Sequence, residues 1–243
     1  MKTLLKKLFP PKRITAPKVS ALIAAAGSSS RMGGENKLLL PLGGMPVIVR
    51  TLLAVERSQY VSEIIIAARE EDLVTYAELC KTYGIGKPVK VIVGGATREE
   101  SVYRAALEAK EESNLLAVQD GARPLITPEL FDAVVRQACT SFAAAPAVPV
   151  HDTIKVCEGS VVRSTPERST LFAVQTPQVF DAELLRAALQ SALQAGAALT
   201  DDCSAVERIG KAVYLVEGSE ENIKITTPLD MIVANAILER REG

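Results

Sequence analysis

Histidine occurs once in the 243 residues, at His151. A histidine-based metal site is thereby almost excluded, and a Ser-His-Asp triad would have to be built on that residue alone. The four cysteines, Cys80, Cys139, Cys157 and Cys203, lie far apart, and no pair has metal-ligand or redox spacing. They read as buried reduced thiols in a cytosolic protein. Charge of one sign is also missing: 28 Lys and Arg stand against 29 Asp and Glu. Without a basic field, neither nucleic acid nor an anionic membrane is an expected partner. No apolar run reaches bilayer length.

Residues 1–18 read as a basic N-terminal extension. Lys2, Lys6, Lys7, Lys12, Arg13 and Lys18 accompany Leu4, Leu5, Leu8, Phe9 and three prolines. A secretory signal would need a longer apolar stretch and a small-residue cleavage site. A frayed lead-in and a membrane-surface anchor are the two readings of this segment.

What is present is a chain 48% hydrophobic, enough for one large α/β core over residues 19–243. Val19 to Ala26 is nearly all apolar, as expected of a strand buried on both faces. Helical periodicity follows from Met45 to Arg57, then a strand at Glu63 to Ala68 and a helix over Glu70 to Tyr83. A third strand is expected at Val89 to Val93. Thr97 and Glu100 form a capping-box pattern opening a helix to about Glu112. Leu115 to Gln119 is a fourth strand, ending at Asp120, and Thr127-Pro128 opens a helix to Cys139. Ala143 to Val150 reads as a strand. Residues 152–172 then alternate short β-like pieces with turn residues and are expected to form a protruding β-hairpin arm. Helices over Asp181 to Ala195 and Asp201 to Ile209, a strand at Ala212 to Val216 and a helix capped by Thr227-Pro228 complete the chain.

Strands alternating with helices predict a Rossmann-like, mostly parallel sheet with helices on both faces. Such sheets bind ligands beyond the carboxyl ends of their strands. Three polar segments fall there: the loop after Ala26, the loop after Val93, and Asp120. The first reads A-A-A-G-S-S-S-R-M-G-G-E-N-K from Ala24 to Lys37. Its small side chains allow backbone N–H groups to approach a phosphate, and Arg31 and Lys37 add two cations. It is neither a Walker loop nor a G-x-G-x-x-G fingerprint, and an ordinary βα loop with solvated cations has the same composition.

The loop is similar to the signature of nucleotide-sugar-type cytidylyltransferases, and further segments narrow the resemblance. They are V-G-G-A-T-R-E-E-S-V (Val93 to Val102), Q-D-G-A-R-P (Gln119 to Pro124), V-P-V-H-D-T-I-K (Val148 to Lys155) and N-I-K-I-T-T-P-L-D (Asn222 to Asp230). With E-R-S-T-L-F-A-V-Q-T-P-Q and T-D-D, they resemble the 2-C-methyl-D-erythritol 4-phosphate cytidylyltransferase family over about Val19 to Arg240. That family joins CTP to methylerythritol phosphate, releasing pyrophosphate, in non-mevalonate isoprenoid synthesis. Its nucleophile is a phosphate monoester, anionic at neutral pH, so a chain with one histidine loses nothing. Catalysis reduces to positioning and charge stabilisation.

By resemblance, Arg31, Lys37 and Lys224 are the catalytic cations around the triphosphate and α-phosphate. Ala24, Ala25, Ala26, Gly27, Ser28, Ser29, Gly95, Ala96, Ser101, Asp120 and Gly121 are implied for the nucleotide. Asp120, Arg123, Thr153, Arg168, Thr176 and Lys224 are implied for the acceptor. Each has a plainer reading from the residues alone: a solvated lysine at 224, a helix-surface serine at 101, an Asp120–Arg123 salt bridge, an arm arginine at 168, a strand-end histidine at 151. Mg2+ is implied with CTP, held mainly by phosphate oxygens and water, with no dedicated protein site. A homodimer through the arm, with Arg168 delivered in trans, is implied as well. The chain departs from the family's pattern at Ser28-Ser29-Ser30, where glycine is usual, at Gln119, where histidine is common, and at Ala96, where an acid is common. Ribitol 5-phosphate cytidylyltransferase and a non-catalytic nucleotide-binding module are the alternatives. Thr200 to Glu207 resembles the isoprenoid enzyme better than the ribitol one.

Overall fold

The structure, a computed structural model, describes residues 13–27 and 36–242. The apolar run after Lys18 forms β1 (Val19–Ala25), and a tight hairpin of β2 (Pro41–Leu42) and β3 (Met45–Pro46) leads into α1 (Val47–Glu56). The isoleucine-rich stretch is β4 (Val61–Ala68), followed by one 3-10 turn at Glu70–Asp72 and α2 (Leu73–Thr82). Next come β5 (Val89–Val93), α3 (Arg98–Leu107), β6 (Leu115–Asp120), α4 (Pro128–Ser141) and β7 (Ala143–Pro149). The arm carries β8 (Val156–Glu158) and β9 (Val161–Ser164), turning at Gly159 with φ +57°. The chain re-enters the sheet as β10 (Phe172–Val174) and β11 (Gln178–Asp181), then forms α5 (Ala182–Gln194), α6 (Asp202–Arg208), β12 (Tyr214–Glu217) and α7 (Pro228–Glu242).

β1 lies between β4 and β6, and β5 continues beyond β4, all parallel. β11 runs antiparallel between β6 and β7. Ala144 pairs with Val179 and with Tyr214, and Ala147 with Val174 and Glu217, so β10 and β11 share one side of β7 and β12 takes the other. The result is the expected mostly parallel sheet with helices on both faces. Strand alternation sorts the core: Ile64 and Ile66 pack with Val47, Tyr76, Phe131 and Leu238, whereas Ile65 and Leu22 pack with Val102, Leu185 and Val206 on the opposite face. Each such fully buried aliphatic side chain contributes about 1.5–3 kcal/mol, which is what fixes the register.

Register also gathers the polar segments. Ala24 pairs with Asp120, Ala25 with Ala68, and Ala68 with Val93, so the carboxyl ends of β1, β5 and β6 lie on one rim.

Local chemistry departs from expectation in three places. α3 stops at Leu107, short of Glu112, because the Lys110 N–H donates to the buried Glu63 carboxylate at 2.7 Å and a turn begins. α7 is opened less by Thr227 than by Asp230, whose Oδ2 accepts from the N–H groups of Thr226 and Thr227 at 2.8 and 2.7 Å. Residues 13–18 are tied to the domain: Ile14 donates to the Cys139 carbonyl at 3.0 Å, and Asn114 brackets Ala16 and Lys18. Residues 1–12 lie outside the described part. Among the described residues no helix is long and apolar enough to cross a membrane.

Candidate active site

A cleft of about 410 Å³ opens on this rim. Ala24, Ala26 and Gly27 of the first loop form one wall, Gly95, Ala96 and Ser101 another, and Asp120 the floor. Lys37 and Lys224 both line it, so cations far apart in sequence share one cleft with this carboxylate. Arg31, Ser28 and Ser29 lie outside the described residues, and Ala25 and Gly121 are present at the rim without lining the cleft.

The second wall is closely built. A side chain at Gly94 would come within 2.8 Å of the Ala26 Cβ, so only glycine lets the two loops approach. Thr97 caps α3 by accepting from Glu100 N–H at 3.2 Å, but the Glu100 carboxylate reaches the N–H of Ala96, at 2.8 Å, in place of that of Thr97. The Gly95 N–H donates to Ser101 Oγ at 2.9 Å, and Ser101 Oγ donates to the Thr97 carbonyl at 2.8 Å. Ser101 is therefore a buried hinge pin of the loop and not the helix-surface serine that composition allows. The backbone donors of Gly95 and Ala96 are already occupied.

Asn36 fixes the far end of the first loop. Its amide donates to Asp72 Oδ2 at 2.9 Å and to the Tyr76 hydroxyl at 3.0 Å, and its carbonyl accepts from Leu38 N–H at 3.1 Å. Arg69 secures Asp72 from the other side at 2.8 Å. Burial pushes the Tyr76 phenol up to about 12, so it stays protonated.

Asp120 is the electrostatic centre. Its Oδ2 lies 3.0 Å from Lys224 Nζ and 3.3 Å from Arg123 Nε, and its Oδ1 lies 3.7 Å from an Arg98 nitrogen. Burial alone would raise this carboxyl, but Lys224, Arg98 and Arg123 outweigh it and hold it below the usual range. The Asp120 N–H donates to Thr176 Oγ1 at 3.1 Å, and Arg123 donates to the Asn222 carbonyl at 2.6 Å. Arg123 and Thr176 thus support Asp120 without lining the cleft. Thr153 and Arg168 sit on the arm, outside the cleft of their own chain, with Arg168 donating to the His151 carbonyl at 2.9 Å. His151 pairs with Glu220 at 2.8 Å, an exposed contact away from the cleft.

Five residues lining the cleft, Leu38, Thr97, Arg98, Ala122 and Thr226, had no place among the residues expected from sequence, and Arg98 is the charged one. Arg98, first residue of α3, lines the cleft and meets the fully buried Asp202 at 2.7 Å. Burial raises the Asp202 carboxyl, and Arg98 offsets only part of that. The available signal was a cation in the first turn of a helix, where the dipole opposes it.

These segments, Ala24 to Gly27 and Lys37, Gly94 to Ser101, Asp120 and Lys224, make one site. The sequence matches the family model of 2-C-methyl-D-erythritol 4-phosphate cytidylyltransferase over residues 19–240. The chain belongs to that family. The 2-C-methyl-D-erythritol 4-phosphate cytidylyltransferase of Bacillus cytotoxicus is 47% identical over 218 residues, covering 89% of this chain and 96% of that one. The enzyme of the same name from Halalkalibacterium halodurans is 42% identical over 224 residues, covering 92% and 98%. The crystal structure of 4-diphosphocytidyl-2C-methyl-D-erythritol synthase from Anaerococcus prevotii superposes with a TM-score of 0.84 at 32% identity, covering 93% of this chain and 98% of that one. The likeness to the cytidylyltransferase family spans residues 19–240, and Lys37, Asp120 and Lys224 all fall within it.

Proposed function

We propose that this chain transfers CMP from CTP to 2-C-methyl-D-erythritol 4-phosphate, giving the diphosphocytidyl product and pyrophosphate for isoprenoid precursor synthesis. The observation that carries the reading is the placement of Lys37 and Lys224 in one cleft around Asp120, at the strand ends, in a chain of this family. An acceptor phosphate oxygen attacks the α-phosphorus in line. A new P–O bond forms, the bond to the bridging oxygen breaks, and pyrophosphate leaves with the electron pair. No proton need be removed from the nucleophile, so no general base is required.

Lys37 and Arg31 are assigned to the triphosphate and its transition state, and Lys224 to the α-phosphate and the acceptor phosphate. Fixed cations at a developing charge are worth most in a site that excludes water. The small-residue walls, with Ser28 and Ser29, hold the nucleotide, and because the Gly95 and Ala96 N–H groups are occupied internally, that wall offers the base only carbonyls and shape. Asp120 takes an acceptor hydroxyl, with Arg123 and Thr176 behind it. Among the described residues no group of three or more His, Cys, Asp or Glu could hold a metal. Mg2+ bound with CTP is assigned mainly to phosphate oxygens and water, where it would neutralise triphosphate charge.

The arm supports a homodimer. Val156, Val161 and Val162 are about half exposed, at 48%, 56% and 52%, on a hairpin too small to be stable alone. A second copy is the simplest cover under two-fold symmetry, and it would deliver Thr153 and Arg168 to a neighbouring cleft. Free cysteines fit a cytoplasmic location.

Pyrophosphate release tests the reading, with each of four NTPs against methylerythritol phosphate and D-ribitol 5-phosphate. Turnover with CTP and methylerythritol phosphate is expected. Preference for ribitol 5-phosphate, or binding of CTP without turnover by either acceptor, would replace it.

A further inference from the structure

The ion pair between Arg98 and Asp202 has no part in the reaction as assigned above. Asp202 is fully buried, its Oδ2 lies 2.7 Å from Arg98, and its Oδ1 has no hydrogen-bond partner among the described residues. A buried ion pair gains little over apolar packing, and an orphaned carboxylate oxygen makes the balance worse. The α3 dipole also opposes a cation at Arg98. Stability is thus a poor reason for the arrangement.

Its geometry supplies a better one. Asp202 is rigidly held: Gln178 Oε1 accepts from the N–H groups of Asp202 and Cys203, both at 3.0 Å, and Gln178 Nε2 donates to Asp201 at 2.9 Å. The Arg98 nitrogen that Asp202 grips is the same one that stands 3.7 Å from Asp120 Oδ1, beyond hydrogen-bond range. Lys224 and Arg123 both take Asp120 Oδ2, so Oδ1 accepts no hydrogen bond from the described residues. Released from Asp202, Arg98 would close on Oδ1 and consume the acceptor.

We propose that Asp202 is a positioning residue that holds Arg98 back from Asp120 and keeps Asp120 Oδ1 open to a hydroxyl of the polyol phosphate. The idea rests on the function proposed above for Asp120. Steady-state kinetics with acceptor varied at saturating CTP are measured for wild type, Asp202→Asn, Arg98→Lys, and Asp202→Asn combined with Arg98→Met. In Asp202→Asn the acceptor KM rises about tenfold, the worth of one good hydrogen bond, while the KM for CTP stays within about twofold. Adding Arg98→Met removes the intruding cation and returns the acceptor KM to within about threefold of wild type. An unchanged acceptor KM in Asp202→Asn, or no recovery in the double variant, overturns the proposal. If Asp202→Asn does not fold by circular dichroism, Arg98→Lys decides. Its ammonium stays on Asp202 and leaves Asp120 alone, so a near-normal acceptor KM supports the tether and a tenfold rise refutes it. A crystal structure of Asp202→Asn, or of Arg98→Lys if that variant alone folds, separates this idea from the assigned function. In the first, Arg98 is expected to reach hydrogen-bond distance of Asp120 Oδ1. In the second, the ammonium at position 98 is expected to stay paired with Asp202. The opposite placement overturns the tether whatever the acceptor proves to be, and wild-type failure to use a polyol phosphate bears on the function alone.

Discussion

The Nζ of Lys224 lies 3.0 Å from Oδ2 of Asp120, joining the segment before α7 to the end of a central strand. Lys224 is thereby aimed across the cleft instead of lying free in solvent, and Asp120 is kept ionised by the cations that surround it. Replacing Asp120 by Asn leaves Lys224, Arg98 and Arg123 with no common counter-charge. Uncompensated buried charge is expensive, but Lys224 and Arg98 are 39% and 33% exposed and solvent relieves part of the cost. A loss of about 2 kcal/mol, or about 4–8 °C in Tm, is expected, together with a raised acceptor KM. A folded Asp120→Asn protein with normal acceptor use would remove Asp120 from the site.

The same carboxyl gives a pH signature. Its folded pKa is held below the ordinary 3.8, so its contribution to stability is present above the unfolded value and is lost as pH falls through the folded one. The stability gap between wild type and Asp120→Asn is therefore widest near neutrality and closes below about pH 4. Urea unfolding between about pH 3 and 7 reads this, and a gap that persists or grows in acid would contradict the assignment.

Lys37→Ala should leave the fold intact, because Lys37 belongs to a rim loop and lines the cleft instead of the apolar core. Its loss removes a cation aimed at transition-state charge, a contact worth about 3 kcal/mol, so turnover should fall on the order of a hundredfold or more. Circular dichroism and pyrophosphate release on one preparation decide the matter. Near-normal turnover in a folded variant takes Lys37 out of the catalytic set.

Asn36 links that lysine to the core. Its amide bonds to Asp72 and Tyr76 hold the loop end against the start of α2. Asn36→Ala should lower kcat about tenfold, and Tyr76→Phe, which removes one of the two bonds, only about two- to threefold. Equal effects from the two, or a change in Tm without a change in kcat, would show that the anchor serves the fold and not Lys37.

How much of this could be read in advance follows from range. β1 and β6 are continuous apolar runs bounded by polar rim residues, so their places and the rim itself are legible. β11 is not, because four residues between Pro177 and the helix opening at Ala182 are too few to show a strand period, and their pairing is supplied by β6 and β7. The end of α3 is set by Glu63, more than forty residues earlier in the chain, and no local pattern announces it. That Lys37, Asp120 and Lys224 share one cleft was legible through the segments that carry them. The Arg98–Asp202 pair joins the first turns of two helices, and nothing near either residue names its partner. Ser101 shows the converse, a residue whose plainer reading as a helix-surface serine is overturned by the loop that folds onto it.

The arm yields the sharpest test of assembly. Thr153 and Arg168 lie outside the cleft of their own chain, so any role at a reacting phosphate requires delivery to a second copy. Arg168 suits that role, since a planar guanidinium can bind two phosphate oxygens at once. Lys37→Ala and Arg168→Ala are first prepared separately and each shown to be nearly inactive. They are then unfolded together and refolded. In a mixed dimer with trans sites, one cleft carries both lesions and the other carries none, so random pairing, which makes about half of all dimers mixed, should restore about a quarter of wild-type activity. With cis sites every cleft keeps one lesion and no mixture recovers. Mixed dimers are verified by differently tagged chains and native mass spectrometry. Their presence without recovered turnover would sink the trans assignment of Arg168, and a purely monomeric protein would sink the dimer with it.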